Sequence, residues 1–109
     1  MRYLMMAKAD ENAPAPDEKL FAEMGAFIEE ITAAGILLAT GGLDPASAVR
    51  VTSSGDEITV TDGPFAEAKE AIAGFALVEV RSHEEALELA RRFRRITGDG
   101  ESILQQVFN

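Results

Sequence analysis

Two amphipathic helical patterns, each flanked by short apolar segments, constrain the fold of this chain more than any other feature. In the first pattern, apolar residues recur at helical spacing behind Asp17, a natural N-cap, and Gly35 follows as a stop. The second begins with a capping box, Ser82 to Glu85, and ends at Gly98. The apolar positions are Leu20, Met24, Phe27, Ile28 and Ile31 in the first helix, and Leu87, Leu89, Ala90, Phe93 and Ile96 in the second.

Four short apolar segments surround these helices and predict strands. Arg2–Lys8 and Ile72–Val80 are apolar on both sides of the pleat, which is typical of strands with both faces covered. Ile36–Thr40 predicts a strand that is closed by Gly41-Gly42, and ESILQQVF predicts the last strand.

Two alternating segments in the middle of the chain predict a β-hairpin. They read AVRVTS and EITVTD and are separated by SGD, where glycine supplies the positive φ angle that a tight turn needs. Ile58 and Val60 point to one face of the second segment, and Thr59 and Thr61 point to the other. We therefore expect one face of the hairpin to be covered and the other exposed.

The predicted order is strand, helix, strand, inserted hairpin, strand, helix, strand. This is an α+β, ferredoxin-like split βαβ plan with a β-hairpin added between its halves. Right-handed crossovers place both helices on the same face of the sheet, so the apolar second face needs another cover. Because a large exposed apolar sheet is a liability that a twofold interface removes, we predict a homodimer with its sheets face to face.

The composition limits the kind of protein this chain can be. A length of 109 residues predicts a single domain over residues 1–109. The absence of cysteine excludes disulfides, and the formal charge of −9 argues against nucleic acid as a partner. The first apolar run is too short for a signal sequence or a spanning helix, so we expect no membrane partner and a cytoplasmic location. We interpret the RRFRR segment, Arg91–Arg95, as a solvated helix end rather than an anion site.

The segment Val60–Glu70, VTDGPFAEAKE, alternates as a strand does up to Asp62 and is then turned by Gly63-Pro64. TDGPFAEAKE resembles the hallmark of the DGPF group within the YCII-related proteins, with Ala68 where threonine is common. The resemblance extends over nearly the whole chain, through GAFIEEITAAGILLATGGL, GFALVEV and EEALELARR. It implies a ferredoxin-like α+β fold that pairs into a dimeric α+β barrel.

The resemblance implies far less about activity, because most proteins of the DGPF group have no established one. Other YCII-like proteins resemble muconolactone isomerase in architecture, and some use a histidine and aspartate pair in the barrel cleft. The one histidine of this chain, His83, lies at the predicted start of the second helix, and we interpret it as an exposed helix residue rather than a base. The histidine-dependent mechanism is therefore not transferred to this chain.

The motif itself supplies the candidate site residues. If Asp62 and Glu67 converge on a partly buried cleft, like-charge repulsion and desolvation would leave one carboxylic acid beside one carboxylate, the minimum for moving a proton on a small substrate. Phe65 would then form an apolar lid, and Lys69 would hold a substrate anion or pair with either acid. The predicted catalytic residues are Asp62 and Glu67, and the predicted ligand-binding residues are Gly63, Pro64, Phe65, Lys69 and Glu70.

A structural turn is the alternative interpretation of the same residues. In that case Asp62 caps the turn, Phe65 belongs to the core, and the acids and lysine that follow form solvated ion pairs. One histidine and scattered acids do not make a metal ligand set, and Gly41-Gly42 is too short for a phosphate loop. We therefore predict neither a metal site nor a cofactor.

Two functions from different classes follow from these observations. In the first, a homodimer binds a small organic ligand in its cleft and performs cofactor-independent proton transfer, as an isomerase or lyase does, with Asp62 and Glu67 as acid and base. In the second, the protein binds a metabolite or a protein without chemistry. The resemblance bears on the second, because DGPF proteins are often encoded beside sigma factors of the extracytoplasmic-function type, which implies an accessory or sensing role.

Overall fold

The computed structural model describes residues 1–10, 15–63 and 71–108, and within them the chain forms six strands and two α-helices. A short 3₁₀ turn, Pro45–Ser47, precedes the hairpin. The elements in chain order are β1 Arg2–Lys8, α1 Glu18–Ala33, β2 Leu37–Gly42, β3 Val49–Ser54, β4 Glu57–Asp62, β5 Ile72–Glu79, α2 His83–Thr97 and β6 Ser102–Val107.

Four of the strands form one antiparallel sheet in the order β2-β5-β1-β6. Tyr3 of β1 lies opposite Val78 of β5 on one side and opposite Gln106 of β6 on the other. This strand order, with one helix in each half, is the ferredoxin-like split βαβ plan. The predicted α+β fold class is confirmed.

Capping residues in the sequence fix the ends of both helices. The Asp17 carboxylate accepts a hydrogen bond from the Leu20 amide at 2.8 Å, and the Ser82 hydroxyl accepts one from the Glu85 amide at 3.1 Å. Gly35 follows α1 with φ of 74°, a left-handed conformation in which only glycine is unstrained. Both helices therefore begin and end where the sequence predicts.

The core lies between the two helices and one face of the sheet. Val78 in β5 is 1% exposed, and it is surrounded by aromatic and aliphatic side chains from β1 and both helices. Burial of each large apolar side chain contributes about 1.5–3 kcal/mol, which makes this layer the main stabilising feature. The buried residues of this cluster are Tyr3, Phe27, Ile31, Val78, Val80, Ala86 and Leu89.

The second face of the sheet is also apolar, because both central strands have apolar residues at alternate positions. Leu4 lies opposite Leu77, and Met6 lies between Phe75 and Ile103. These side chains are half-buried, and both helices lie on the other face. The second face of the sheet is thus without a helical cover in the described part of the chain.

The hairpin β3–β4 forms a separate two-stranded sheet, with a turn at Gly55, whose φ is 60°. Val51 lies opposite Val60, and Ser53 lies opposite Ile58. The expectation that one face would be covered is wrong for the single chain, since every residue of both strands is exposed. The reason is that no other described element packs against the apolar face, so Val49, Val51, Ile58 and Val60 stay 54–70% exposed.

The strand β2 also differs from its prediction, because it continues through the two glycines that were expected to close it. Gly41 pairs with Phe75, and Gly42 pairs with Gly74. The glycines fit because the neighbouring strand approaches closely there, and a side chain at Gly41 would be crowded by the Phe75 ring.

Candidate ligand site

An apolar cavity of about 130 Å³ lies between α1 and the sheet, at the end where β1 and β2 finish and β5 begins. An engineered apolar cavity of about 150 Å³ holds benzene, so this volume suits a single ring. The described residues that line the cavity are Met5 and Ala7 from β1, Met24, Phe27, Ile28 and Ile31 from α1, Leu37, Thr40 and Gly41 from β2, Gly74, Phe75 and Ala76 from β5, and Phe93 from α2.

Two glycines shape the wall of the cavity that the sheet provides. A Cβ atom on Gly41 would lie 3.2 Å from Cε1 of Phe75, and one on Gly74 would lie 3.2 Å from the carbonyl oxygen of Gly41. Both distances are shorter than ordinary van der Waals contact, so these positions favour glycine. Bare backbone therefore forms this part of the wall, next to an aromatic ring.

Thr40 carries the one polar side chain among the described lining residues. Its hydroxyl donates a hydrogen bond of 2.8 Å to the carbonyl oxygen of Phe75 in the neighbouring strand. None of the described lining residues has an ionisable side chain. The cavity interior can thus bind apolar groups, while acid or base chemistry needs residues from elsewhere.

Two of the predicted site residues lie in the described part of the chain. Asp62 ends β4 opposite Val49 and is exposed, and the Gly63 amide donates a 2.8 Å hydrogen bond to the carbonyl oxygen of Ala48, which closes the base of the hairpin. The other predicted residues, Pro64, Phe65, Glu67, Lys69 and Glu70, lie outside the described residues. The convergence of Asp62 with Glu67 therefore stays a prediction.

The chain that follows the motif returns to the end of the sheet where the cavity lies. The Ala9 amide donates to the carbonyl oxygen of Ala71 at 2.9 Å, and the Leu43 amide donates to that of Ala73 at 2.8 Å. Ala71 thus joins the sheet just beyond Lys8, the last residue of β1, and Ala73 is adjacent to Gly74. The C-terminal flank of the motif and the cavity lie at the same end of the sheet.

His83 lies at the first position of α2 and is exposed, in agreement with its interpretation as a helix residue. Its Nδ1 atom is 3.2 Å from the hydroxyl of Tyr3, and the two ring centroids are 5.7 Å apart. Neither residue lines the cavity. This geometry assigns His83 a contact with the N-terminal strand and gives no support to a catalytic base in the cavity.

Three arginines of α2 bind acidic side chains of the same chain. Arg91 and Arg95 both pair with Glu88, at 3.4 and 3.1 Å, and Arg92 pairs with Glu30 of α1. Hydrogen bonds from Arg95, and then from Arg91, lower the pKa of the Glu88 carboxyl below its usual value. The side chains of these three arginines are also 36–65% exposed, which agrees with the interpretation of the RRFRR segment as a solvated helix end rather than an anion site.

The described residues offer neither a metal ligand cluster nor a membrane-spanning helix. Across residues 1–10, 15–63 and 71–108, no group of three or more His, Asp and Glu side chains is placed to hold a metal ion. Neither described helix has the length and apolar composition needed to cross a membrane. The apolar cavity is therefore the candidate site for a ligand in the described part of the chain.

The residues that line the cavity are not among the site residues predicted from the sequence. Gly41 and Gly74 are the signal that was available, since glycines inside two predicted strands indicate close approach of backbones. Their pairing across β2 and β5, and the position of α1 above them, depend on tertiary packing. A single sequence does not give that packing directly.

The comparisons with known proteins agree on the family and the fold. The sequence matches the family described as the YCII-related domain over residues 1–103. An uncharacterized protein from Rhizobium meliloti (strain 1021) is 34% identical over 97 residues, with 84% of this chain and 78% of that protein covered.

A solved structure with a similar fold is 5-chloro-2-hydroxyhydroquinone dehydrochlorinase (TftG) from Burkholderia phenoliruptrix AC1100, in complex with 2,5-dihydroxybenzoquinone. The TM-score is 0.52 at 14% sequence identity, and the alignment covers 99% of this chain and 94% of the other. At this identity the similarity concerns the fold alone.

Proposed function

The chain belongs to the YCII-related family, and on that premise we propose that it binds a small organic ligand in the apolar cavity, with polar groups supplied by the Asp-Gly-Pro-Phe segment. The observation that carries this proposal is the position of the cavity at one end of the sheet. At the same end, Ala71 and Ala73, which follow the motif, are hydrogen-bonded to the first residues beyond β1 and β2, Ala9 and Leu43. A ligand in the cavity would then have its polar end toward the motif.

The proposed chemistry is cofactor-independent proton transfer of the isomerase or lyase type. Because the described lining residues include no acid or base, the proton donor and acceptor would come from Asp62 and Glu67. Gly63, Pro64, Phe65, Lys69 and Glu70 would contact the ligand. TftG is named for a substrate with a single ring, which supports a ligand of one ring, the size that the cavity suits.

The proposed assembly is a homodimer, and two exposed apolar surfaces support it. One is the second face of the sheet, with Leu4 and Leu77, and the other is the apolar face of the hairpin, with Val51 and Val60. The chain is also extended, with a radius of gyration of 16.0 Å against about 13 Å expected for a compact domain of this length. A second copy would cover both surfaces by one twofold operation.

Binding without chemistry is the second candidate function. The observation in its favour is that the cavity, as far as it is described, offers apolar walls and one hydroxyl rather than a pair of titratable groups. A sensing or accessory protein needs no more than a selective cavity. The link to a sigma factor stays a prediction from the resemblance.

A thermal-shift screen tests the ligand proposal. The wild type, Asp62→Asn and the control Asp56→Asn, which removes an exposed acid at the hairpin turn, would be screened against small organic acids and aromatic compounds. A compound that binds only the folded state raises the Tm by mass action. We expect a compound that stabilises the wild type and Asp56→Asn but not a well-folded Asp62→Asn, and turnover of that compound would identify an enzyme.

Two other outcomes would contradict parts of the proposal. If no compound raises the Tm of the wild type, ligand binding is wrong. If compounds bind all three proteins equally and Asp62→Asn alone has a lower unliganded Tm, Asp62 is a turn cap and not a ligand contact.

Methionine methyl signals give the position of a bound compound. The chain has four methionines, of which Met5 and Met24 line the cavity, whereas Met6 lies on the second face of the sheet. A ligand in the cavity should shift the methyl resonances of Met5 and Met24 and leave that of Met6 in place. The reverse pattern would place the ligand between the two sheets of a dimer instead.

A further inference from the structure

The hydrogen-bonding capacity of Thr40 limits what the cavity can bind. A threonine hydroxyl has one proton and two acceptor lone pairs. The Thr40 proton is committed to the carbonyl oxygen of Phe75 at 2.8 Å, because a carbonyl can only accept. The capacity that remains at Thr40 Oγ1 is that of an acceptor, so a partner must present a donor.

The rest of the lining determines the character of the bound group. The described walls are aliphatic or aromatic and include no charged side chain, so an ionised group inside would lose its hydration without gaining a counter-charge. The rings of Phe27 and Phe93 come from the two helices, and aromatic rings pack favourably against other rings in offset or edge-to-face arrangements. The volume of about 130 Å³ admits one ring.

From these constraints we propose that the cavity takes a neutral hydroxyaromatic ring of the phenol type, and that its O–H donates to Oγ1 of Thr40. The inference rests on the proposed function, because it names the ligand class of the same cavity. Thr40 is then a specificity-determining residue. It distinguishes a phenol from the corresponding methyl ether, which has the same ring and an oxygen but no proton to donate.

Three probe compounds and three variants test this assignment. The probes are phenol, anisole and toluene, and the variants are Thr40→Val, which has a similar shape without a hydroxyl, Thr40→Ala as a second hydroxyl-free form, and Thr40→Ser, which keeps the hydroxyl. Dissociation constants would be measured from the methyl shifts of Met5 and Met24, with Met1 as the exposed control. The Tm of each variant would establish that it is folded.

The expected result is a change in the ratio of affinities rather than in one affinity. A neutral hydrogen bond corresponds to roughly a 3- to 10-fold change in binding, so the preference of the wild type for phenol over anisole should fall by about that factor in Thr40→Val and Thr40→Ala. Thr40→Ser should keep most of the preference. Toluene should bind the wild type and Thr40→Val with similar affinity, since it makes no hydrogen bond.

The failures of the two proposals are distinguishable. If the ratio of phenol to anisole affinity is the same in wild type and Thr40→Val, the cavity binds rings but Thr40 does not select them, and this inference is wrong while ligand binding stands. If the probes shift Met6 and not Met5 or Met24, the assignment to this cavity is wrong and the ligand lies on the second face of the sheet. If no probe shifts any methyl signal of the wild type at millimolar concentration, the inference is wrong, and the cavity part of the proposed function is wrong with it.

Discussion

Arg92 joins the two helices by donating two hydrogen bonds to the carboxylate of Glu30, at 2.6 and 3.0 Å. The Arg92 Cζ atom also lies 4.8 Å from the centroid of the Phe27 ring, which is part of the core. The planar guanidinium is suited to this double contact, since it binds a carboxylate in a bidentate manner and stacks on an aromatic face. Arg92, a member of the RRFRR segment, thus connects α1 to α2.

The Arg92 to Glu30 pair predicts a pH-dependent contribution to stability. Hydrogen bonds from Arg92 hold the pKa of the Glu30 carboxyl below its usual value of 4.5. A carboxyl with a lowered folded-state pKa stabilises the fold above the unfolded pKa, and this contribution is lost as the pH falls through the folded value. The Glu30→Gln variant should therefore have a lower Tm than the wild type at pH 7, by no more than about 4 °C because the pair is exposed.

The control for this measurement is Glu29→Gln, which removes a neighbouring exposed acid of the same helix. Thermal melts of the three proteins at pH 7 and at about pH 3, below the usual Glu pKa, should show the Glu30→Gln difference shrinking at the lower pH. An equal Tm difference for Glu30→Gln at both pH values would contradict the role of the charged pair.

Gly25, inside the first helix, and Gly35, just after its end, are predicted to respond in opposite ways to replacement by alanine. Gly25 lies inside α1, and a Cβ atom there would have no neighbour within 4 Å. Gly25→Ala should therefore increase the free energy of unfolding by roughly 0.5–1 kcal/mol, because glycine costs the helix more backbone entropy than alanine. Gly35 has φ of 74°, so Gly35→Ala should decrease it by about 1 kcal/mol or more. Urea unfolding measures both; a stabilising Gly35→Ala would show that the left-handed turn is not required.

The hydroxyl of Ser82 is expected to set the start of the second helix. It accepts the hydrogen bond from the Glu85 amide, which has no partner within the helix. Ser82→Ala should lower the free energy of unfolding by about 1 kcal/mol, whereas Ser82→Asp, which retains a capping oxygen, should stay near the wild-type value. If both variants lose the same stability in urea unfolding, the effect comes from a change other than the loss of the cap.

The sequence predicted local structure well and the environment of each element less well. The helix ends follow from Asp17, Ser82 and the glycines behind each helix, because a cap involves residues only a few positions apart. The strand β2 was cut short at Gly41, since glycine usually weakens a strand, and only its pairing with Phe75 shows that the position needs glycine. The full exposure of the hairpin was also not predicted. Alternation of apolar and polar residues shows which residues share a face of a strand, but it does not show whether another element covers that face.

At the candidate site, too, the sequence predicted local structure but not tertiary packing. Asp62 was placed correctly at the end of a strand, since the alternation of EITVTD stops there. The cavity was not predicted, because it arises where α1 meets the paired glycines of β2 and β5, residues that are more than 30 positions apart in the chain. The motif therefore indicated which segment of the chain to consider as a site. The apolar cavity near the C-terminal flank of that segment is formed by tertiary packing.

The apolar face of the hairpin predicts that dimerisation depends on two side chains that are exposed in the single chain. Ile58 and Val60 point to the same face of β4 and are 70% and 62% exposed, while Thr59 and Thr61 point to the other face. We expect light scattering after gel filtration to show a dimer for the wild type and a shift toward monomer for the double variant Ile58→Thr and Val60→Thr. Threonine keeps the β-branched shape, so the hairpin itself should persist.

The matched control is Thr59→Ser with Thr61→Ser on the opposite face, which should leave the dimer unchanged. Exposed substitutions usually change the stability of a single chain by less than about 0.5 kcal/mol. The Tm of a dimer rises with protein concentration, so the Tm difference between the wild type and the Ile58 and Val60 variant should grow with concentration if the variant has lost the interface. Damage to the fold of the single chain would instead give a difference that does not depend on concentration. A wild type that is monomeric at every concentration would make the homodimer wrong. A double variant that dimerises as well as the wild type would instead leave the second face of the sheet, with Leu4 and Leu77, as the surface that holds the two copies together.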